Sequence, residues 1–82
     1  MYKVKVFVTL KEAVLDPQGK AAQNSLHYAN YIQVNNMRIG KYIEFDLDVE
    51  ERAEGERLVD EICQKLLVNT VVEDYRFELL EV

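Results

Sequence analysis

The scarce residues of this 82-residue chain remove several kinds of chemistry before any pattern is read. It holds one cysteine (Cys63), one histidine (His27), one serine (Ser25), one proline (Pro17) and three glycines. A lone cysteine forms no intramolecular disulfide, and no His and Cys spacing suits a zinc site. Cys63 shares a helical face with Val59, Ile62, Leu66 and Leu67, so it reads as a core thiol and not as a nucleophile. His27 lies on a different element, on a helix surface, and Ser25 sits inside a helical pattern with no triad partner. No stretch signals a carboxyl held in an apolar pocket, as paired acid and base catalysis requires. No apolar run approaches the roughly 20 residues that span a bilayer. Lys3 and Lys5 interrupt the apolar positions that a signal peptide would need. The expected setting is the cytoplasm, away from membranes.

What is present describes a packed protein. Hydrophobic residues make up 49% of the chain, and its length suits one domain over residues 1–82. A chain of this size buries only about 60% of the surface that its unfolded form exposes, so association would help it. A net charge of −5 disfavours nucleic acid and anionic membranes as partners. The charge is unevenly spread. Residues 1–43 carry six basic and two acidic groups, and residues 44–82 carry four basic and thirteen acidic ones. Such asymmetry suits antiparallel pairing of two copies or partners of opposite sign, and it equally describes two solvated faces.

Val4, Val6, Val8 and Leu10 alternate with Lys3, Lys5, Thr9 and Lys11, the period of a strand with one buried face. Phe7 breaks the alternation by placing an aromatic ring outward. Asp16 followed by Pro17 marks a helix start at Pro17, with Glu12 to Leu15 as an apolar arm that needs a surface to lie on. Gly19 and Lys20 in the first turn of that helix suggest an anion site, but no cluster of glycines and no Gly-Lys-Ser/Thr ending supports it. A capped helix start or a docking surface is the better reading. This first helix runs to about Ala29.

A second helix is expected from about Val49 to Val68, capped by Asp48, with the apolar stripe around Cys63 facing the core. Gly55 inside it should loosen its first turns. The last strand reads Tyr75, Phe77 and Leu79 inward against Arg76 and Glu78 outward. Between the helices, about Ile32 to Asp48 keeps one parity: Met37, Ile39, Ile43, Phe45 and Leu47 on one face, Arg38, Tyr42, Glu44 and Asp46 on the other. A two-residue hairpin at Gly40-Lys41 would set apolar against charged residues. A straight 17-residue strand would reach about 55 Å, too long for so small a chain. The segment is therefore either a hairpin with a longer loop or, preferably, a strand bent at Gly40 whose halves join different sheets in a dimer. The expected order is β-α-β-α-β, an α+β chain with a long bent middle strand; a ferredoxin-like βαββαβ chain is the alternative. Glu44, Asp46 and Asp48 project from one strand face where a hard cation would fit, although a solvated acidic face needs no ion.

Three runs resemble the PurS subunit family of phosphoribosylformylglycinamidine synthase: residues 8–21 (VTLKEAVLDPQGKA), 38–44 (RIGKYIE) and 65–78 (KLLVNTVVEDYRFE). They span almost the whole chain in order. One departure is Asn30-Tyr31, where the first helix of many members ends in Gly; Asn also tolerates the left-handed cap. The resemblance implies a small α+β homodimer or tetramer. It implies a non-catalytic role, bridging a PurL-type synthetase and a PurQ-type glutaminase and supporting ammonia passage, as formylglycinamide ribonucleotide becomes formylglycinamidine ribonucleotide. No cofactor is expected on this chain. ATP and glutamine serve the complex, with Mg on the synthetase. The expected partner contacts are Phe7, the stretch Leu15, Asp16, Pro17, Gln18, Gly19 and Lys20, and Arg38, Gly40, Lys41 and Tyr42. The rival reading is a dimeric ferredoxin-like sensor of a small molecule, which would need convergent polar groups in a pocket.

Overall fold

A computed structural model describes residues Met1–Val82. The chain runs β1 (Tyr2–Leu10), α1 (Pro17–Tyr28), β2 (Lys41–Leu47), α2 (Arg52–Ile62), a π-helical turn (Cys63–Leu67) and β3 (Glu73–Glu81). This is the expected strand and helix order. β1 lies at the centre of a three-stranded antiparallel sheet in the order β2-β1-β3. A ferredoxin-like chain would bring a fourth strand, and the sheet has three.

Register explains why the sheet has one apolar face. Val4 lies opposite Phe45 and Leu79, Val6 opposite Ile43 and Phe77, and Val8 opposite Tyr75. Period-two alternation puts all of these on one side, where Val59 and Cys63 of the second helical segment cover them. Val4, Val6, Val59 and Cys63 are fully buried, so the core thiol lies where the helical stripe places it. The polar side of the sheet carries Lys3, Lys5 and Phe7 beside Tyr42, Glu44, Arg76 and Glu78.

Three expectations about the second half need correction. The second helix starts at Arg52 and not at Val49, and Glu51 occupies the cap position without a side-chain bond. Val49 packs against the core from the connection, so Asp48 stands too early to cap the helix. Leu66, expected on the buried stripe, is 81% exposed. The cause is the π turn, in which the Val68 amide donates to the Cys63 carbonyl at 2.9 Å. Such a turn winds in an extra residue, so Leu66 swings out while Val68 reaches the core. Gly55 is buried, and a Cβ there would lie 2.8 Å from Leu79 Cδ2 and 3.2 Å from Val49 Cγ2. Its place is a close approach of helix to sheet, which offsets the helical cost of glycine.

The middle segment becomes regular only from Lys41, directly after Gly40. Residues 32–40 form no regular strand within one chain, so the strand is seven residues long where the parity suggested seventeen. Gly40 is still the switch point: a Cβ there would fall 2.1 Å from the Val8 carbonyl oxygen, so only glycine lets the segment enter beside β1.

α1 makes no extensive packing against its own sheet. A nine-residue strand is about 30 Å long and a twelve-residue helix about 18 Å. Placed end to end they account for the 50 Å longest dimension of the molecule. The radius of gyration is 16.1 Å, against about 12 Å for a compact chain of this length. Residues 11–40 are thus an arm that projects beyond the sheet. At its far end Asn30 adopts φ 77°, with the Tyr31 amide donating to Leu26 and the Asn30 amide to His27. This is a Schellman cap built on Asn in place of Gly, as its left-handed tolerance allows.

Candidate partner-binding site

Asp16 organises the base of the arm. It is the helix cap, with extended backbone, and its Oδ1 accepts the Gly19 amide at 3.0 Å. Its other oxygen, Oδ2, accepts the Ile39 amide at 2.9 Å, twenty-three residues further on. One buried carboxylate therefore ties the start of α1 to the segment returning toward β2. Those amides, Gly19 first and Ile39 next, together with the Arg38 guanidinium, hold its carboxyl below the usual carboxylate range. Arg38 Nε lies 4.0 Å from Oδ2. Its terminal nitrogen donates to the carbonyls of Leu10 at 3.0 Å, Lys11 at 2.9 Å and Val14 at 3.3 Å. Gly19 is required by this crowding, since a Cβ there would sit 2.4 Å from the Met37 carbonyl oxygen. Further along the arm, the Met37 amide donates to Gln23 at 3.0 Å and His27 Nε2 donates to the Val34 carbonyl at 2.6 Å.

The second cluster lies on the polar side of the sheet. β1 sets Phe7 between Tyr42 and Arg76. The two rings are 5.2 Å apart between centroids, and the Arg76 guanidinium lies 4.1 Å over Phe7. That geometry is a cation–π contact. Tyr42 donates its hydroxyl to Glu44, which pushes the phenol up to about 12 and, with Lys3 at 3.2 Å, holds Glu44 low. A depression of about 460 Å³ opens here between Phe7, Thr9, Lys41, Tyr42 and Arg76. On the other side of the sheet, at the arm end of the strands, Lys41 pairs with Glu73 at 3.3 Å.

The structure sorts the expected contact residues into three sets. Asp16, Gly19, Arg38 and Gly40 are engaged with the chain's own backbone at the arm base. Phe7 and Tyr42 meet on the outer face of the sheet, and Lys41, opposite Val8 at the strand start, lines the rim of the same depression. Pro17, Gln18 and Lys20 are exposed on the first turn of α1, and Leu15 is 76% exposed. The apolar arm therefore finds little to lie on in its own chain. Arg76 belongs to the outer-face cluster but is missing from the expected contacts. Parity marks Arg76 as outward, yet only the pairing register sets it against Phe7.

Glu44 and Asp46 lie on the sheet, Asp48 follows the strand end, and no group of three or more His, Cys, Asp or Glu side chains converges. No helix is long and apolar enough to cross a membrane. Buried Cys63 and carbonyl-bound His27 lie on separate elements.

A projecting arm fixed by backbone-directed bonds thus stands next to an open aromatic face on a small α+β chain. The chain matches the PurS family, phosphoribosylformylglycinamidine (FGAM) synthase, over residues 3–81. It is 56% identical to the synthase subunit PurS of Bacillus subtilis (strain 168), over 100% of this chain and 96% of that protein. Its fold is similar to that of PurS from Methanocaldococcus jannaschii, with a TM-score of 0.89 and 32% identity, covering 100% of this chain and 99% of the other. A chain in the structure of PurLQS from Thermotoga maritima matches with a TM-score of 0.88 and 30% identity over 96% of each chain. This chain belongs to the PurS family of synthase subunits.

Proposed function

We propose that this chain is the non-catalytic subunit that joins a synthetase and a glutaminase in the conversion of formylglycinamide ribonucleotide to formylglycinamidine ribonucleotide. It acts in the cytoplasm as a homodimer or tetramer and supports the passage of ammonia between the two partners. The observation that carries this reading is the family match over nearly the whole chain, extended by the likeness to a chain of PurLQS. The carboxylates held below their usual range, Asp16, Glu44, Glu61 and Glu73, are committed to backbone amides, lysines and a tyrosine of the same chain.

Self-association follows from the shape. Leu15, Tyr28, Tyr31, Ile32 and Ile39, five of the eleven exposed large apolar residues, lie on the arm. An elongated chain with its apolar surface on a projection buries that surface best against a second copy, whose sheet can accept the unpaired residues 32–40. The outer-face cluster of Phe7, Tyr42 and Arg76, with Lys41 at the rim of its depression, then remains for the synthetase or glutaminase. It combines an aromatic centre with a charged rim, as interface centres do.

Reconstitution tests the role. Purified synthetase and glutaminase should form the amidine product from glutamine only when this chain is added, and the chain alone should show no turnover. Full glutamine-dependent activity without it would refute the proposal. Phe7→Ala should leave a folded chain but reduce co-elution of the three proteins on size exclusion; unchanged co-elution and activity would remove the outer face from the interface. Tight calorimetric binding of glutamine, ATP or ADP by the isolated chain would favour the sensor reading.

A further inference from the structure

The direction in which α1 leaves the sheet is set by very few groups. After β1 ends at Leu10, the Val14 amide closes a turn onto the Lys11 carbonyl at 2.9 Å. The chain then either folds α1 back over the strands or sends it outward. Apolar packing does not make the choice, because Ala13 and Leu15 are exposed and α1 buries only Gly19. The direction is instead held by Asp16, which spans Gly19 and Ile39, and by Arg38, which spans Leu10, Lys11 and Val14. Arg38 thus binds the end of β1 and the turn after it, while Asp16 binds the helix start and the returning segment. Together they brace all three segments that meet at the arm base.

We propose that the Asp16–Arg38 clamp is a conformational device that holds α1 projected away from its own sheet and so presents the arm, pre-ordered, to a second copy of the chain. The inference rests on the homodimer reading above. Asp16 and Arg38 are positioning residues in it: they act on the partner through the arm and not by touching the partner. A pre-ordered arm avoids the ordering cost that a loose one would incur on association, so loosening the clamp weakens dimerisation without removing any surface residue from the interface.

The test uses nitroxide labels on cysteines introduced at Asn24 of α1 and Glu78 of β3, with buried Cys63 left in place. Labelled chain is mixed with excess unlabelled chain, so that pulsed dipolar spectroscopy reads distances within one chain. The native clamp should give one narrow distance distribution. Asp16→Ala should broaden it and raise the dimer dissociation constant at least tenfold by light scattering across a dilution series. Asp16→Asn keeps an acceptor for Gly19 but offers Ile39 an amide in place of an oxygen, so it should fall between the two. It also carries the test should Asp16→Ala fail to fold by circular dichroism. Native distance distributions in both variants would overturn the clamp. A native chain that stays monomeric at every concentration would instead overturn the homodimer reading, while the distance distributions would still judge the clamp.

Discussion

The sheet with α2 and the projecting arm are stabilised by different means. In the first, Val4, Val6, Val8, Val59, Cys63 and Leu79 bury one another, and every strand has a neighbour. In the second, only Asp16 and Gly19 are buried, and order comes from hydrogen bonds between a few side chains and the backbone. Hydrophobic burial is non-directional and tolerates small shifts, whereas a carboxylate shared by two amides fixes an angle. One half is therefore suited to being stable and the other to being aimed. A subunit that must hold its own fold while reaching another chain needs both.

The largest expected break falls in the sheet half. Leu79→Ala removes a buried side chain that packs against Gly55 of α2. It should lower stability by about 2–5 kcal/mol in urea unfolding. A loss below about 1 kcal/mol would mean that this half does not rest on its core as argued.

Next comes the junction between the halves. Gly40→Ala places a methyl group 2.1 Å from the Val8 carbonyl oxygen, which is backbone and cannot swing away. The expected cost is about 1–3 kcal/mol, with strand β2 displaced at its first residues. Hydrogen exchange should locate the damage at Lys41 and Tyr42. Uniform loss across the sheet would blur the boundary drawn here.

A smaller effect is expected at the arm tip. Tyr28 is 94% exposed and Ile32 69% exposed, so neither contributes much to the fold of one chain. Replacing both with serine should change the unfolding midpoint of the dilute monomer by the equivalent of less than about 0.5 kcal/mol. Self-association should weaken at least tenfold in sedimentation equilibrium. An unchanged association constant would move the homodimer contact off the arm.

Legibility in the sequence follows the same division. The core strands and the inward set Tyr75, Phe77 and Leu79 were readable because alternation reports burial within a chain, and Asp16-Pro17 reported its cap directly. Leu66 was misread because a π turn leaves no periodic mark in advance; it changes the phase of the helix within one turn. The long parity of the middle segment points to apolar residues beyond what one sheet accepts, and the isolated chain leaves 32–40 irregular. The second role of Asp16 was hidden for another reason. A cap bond to Gly19 is local, but the bond to Ile39 depends on where a segment twenty-three residues away returns. Phe7 could be seen to face outward, while its partner Arg76 required the β1-β3 register.

The finest distinction between the halves is their response to acid. Asp16 has its carboxyl lowered in the folded chain by the amides of Gly19 and Ile39 and by Arg38. A lowered folded value means that the unfolded chain takes up the proton first as pH falls. The stabilisation is therefore complete above the unfolded carboxyl range, near pH 4, and is lost as pH drops through the folded value below it. Glu44, Glu61 and Glu73 are lowered as well and have the same sign, so a global melting curve mixes all four. Residue-resolved exchange separates them: below about pH 4 the Ile39 amide should lose protection, corrected for intrinsic rates, before the β1 amides of Val4 and Val6 do. Asp16→Asn should start with less protection at Ile39 and lose no more on acidification. Parallel loss at Ile39 and Val6 would show that arm and sheet open as one unit, and the division between an aimed half and a stable half would fail.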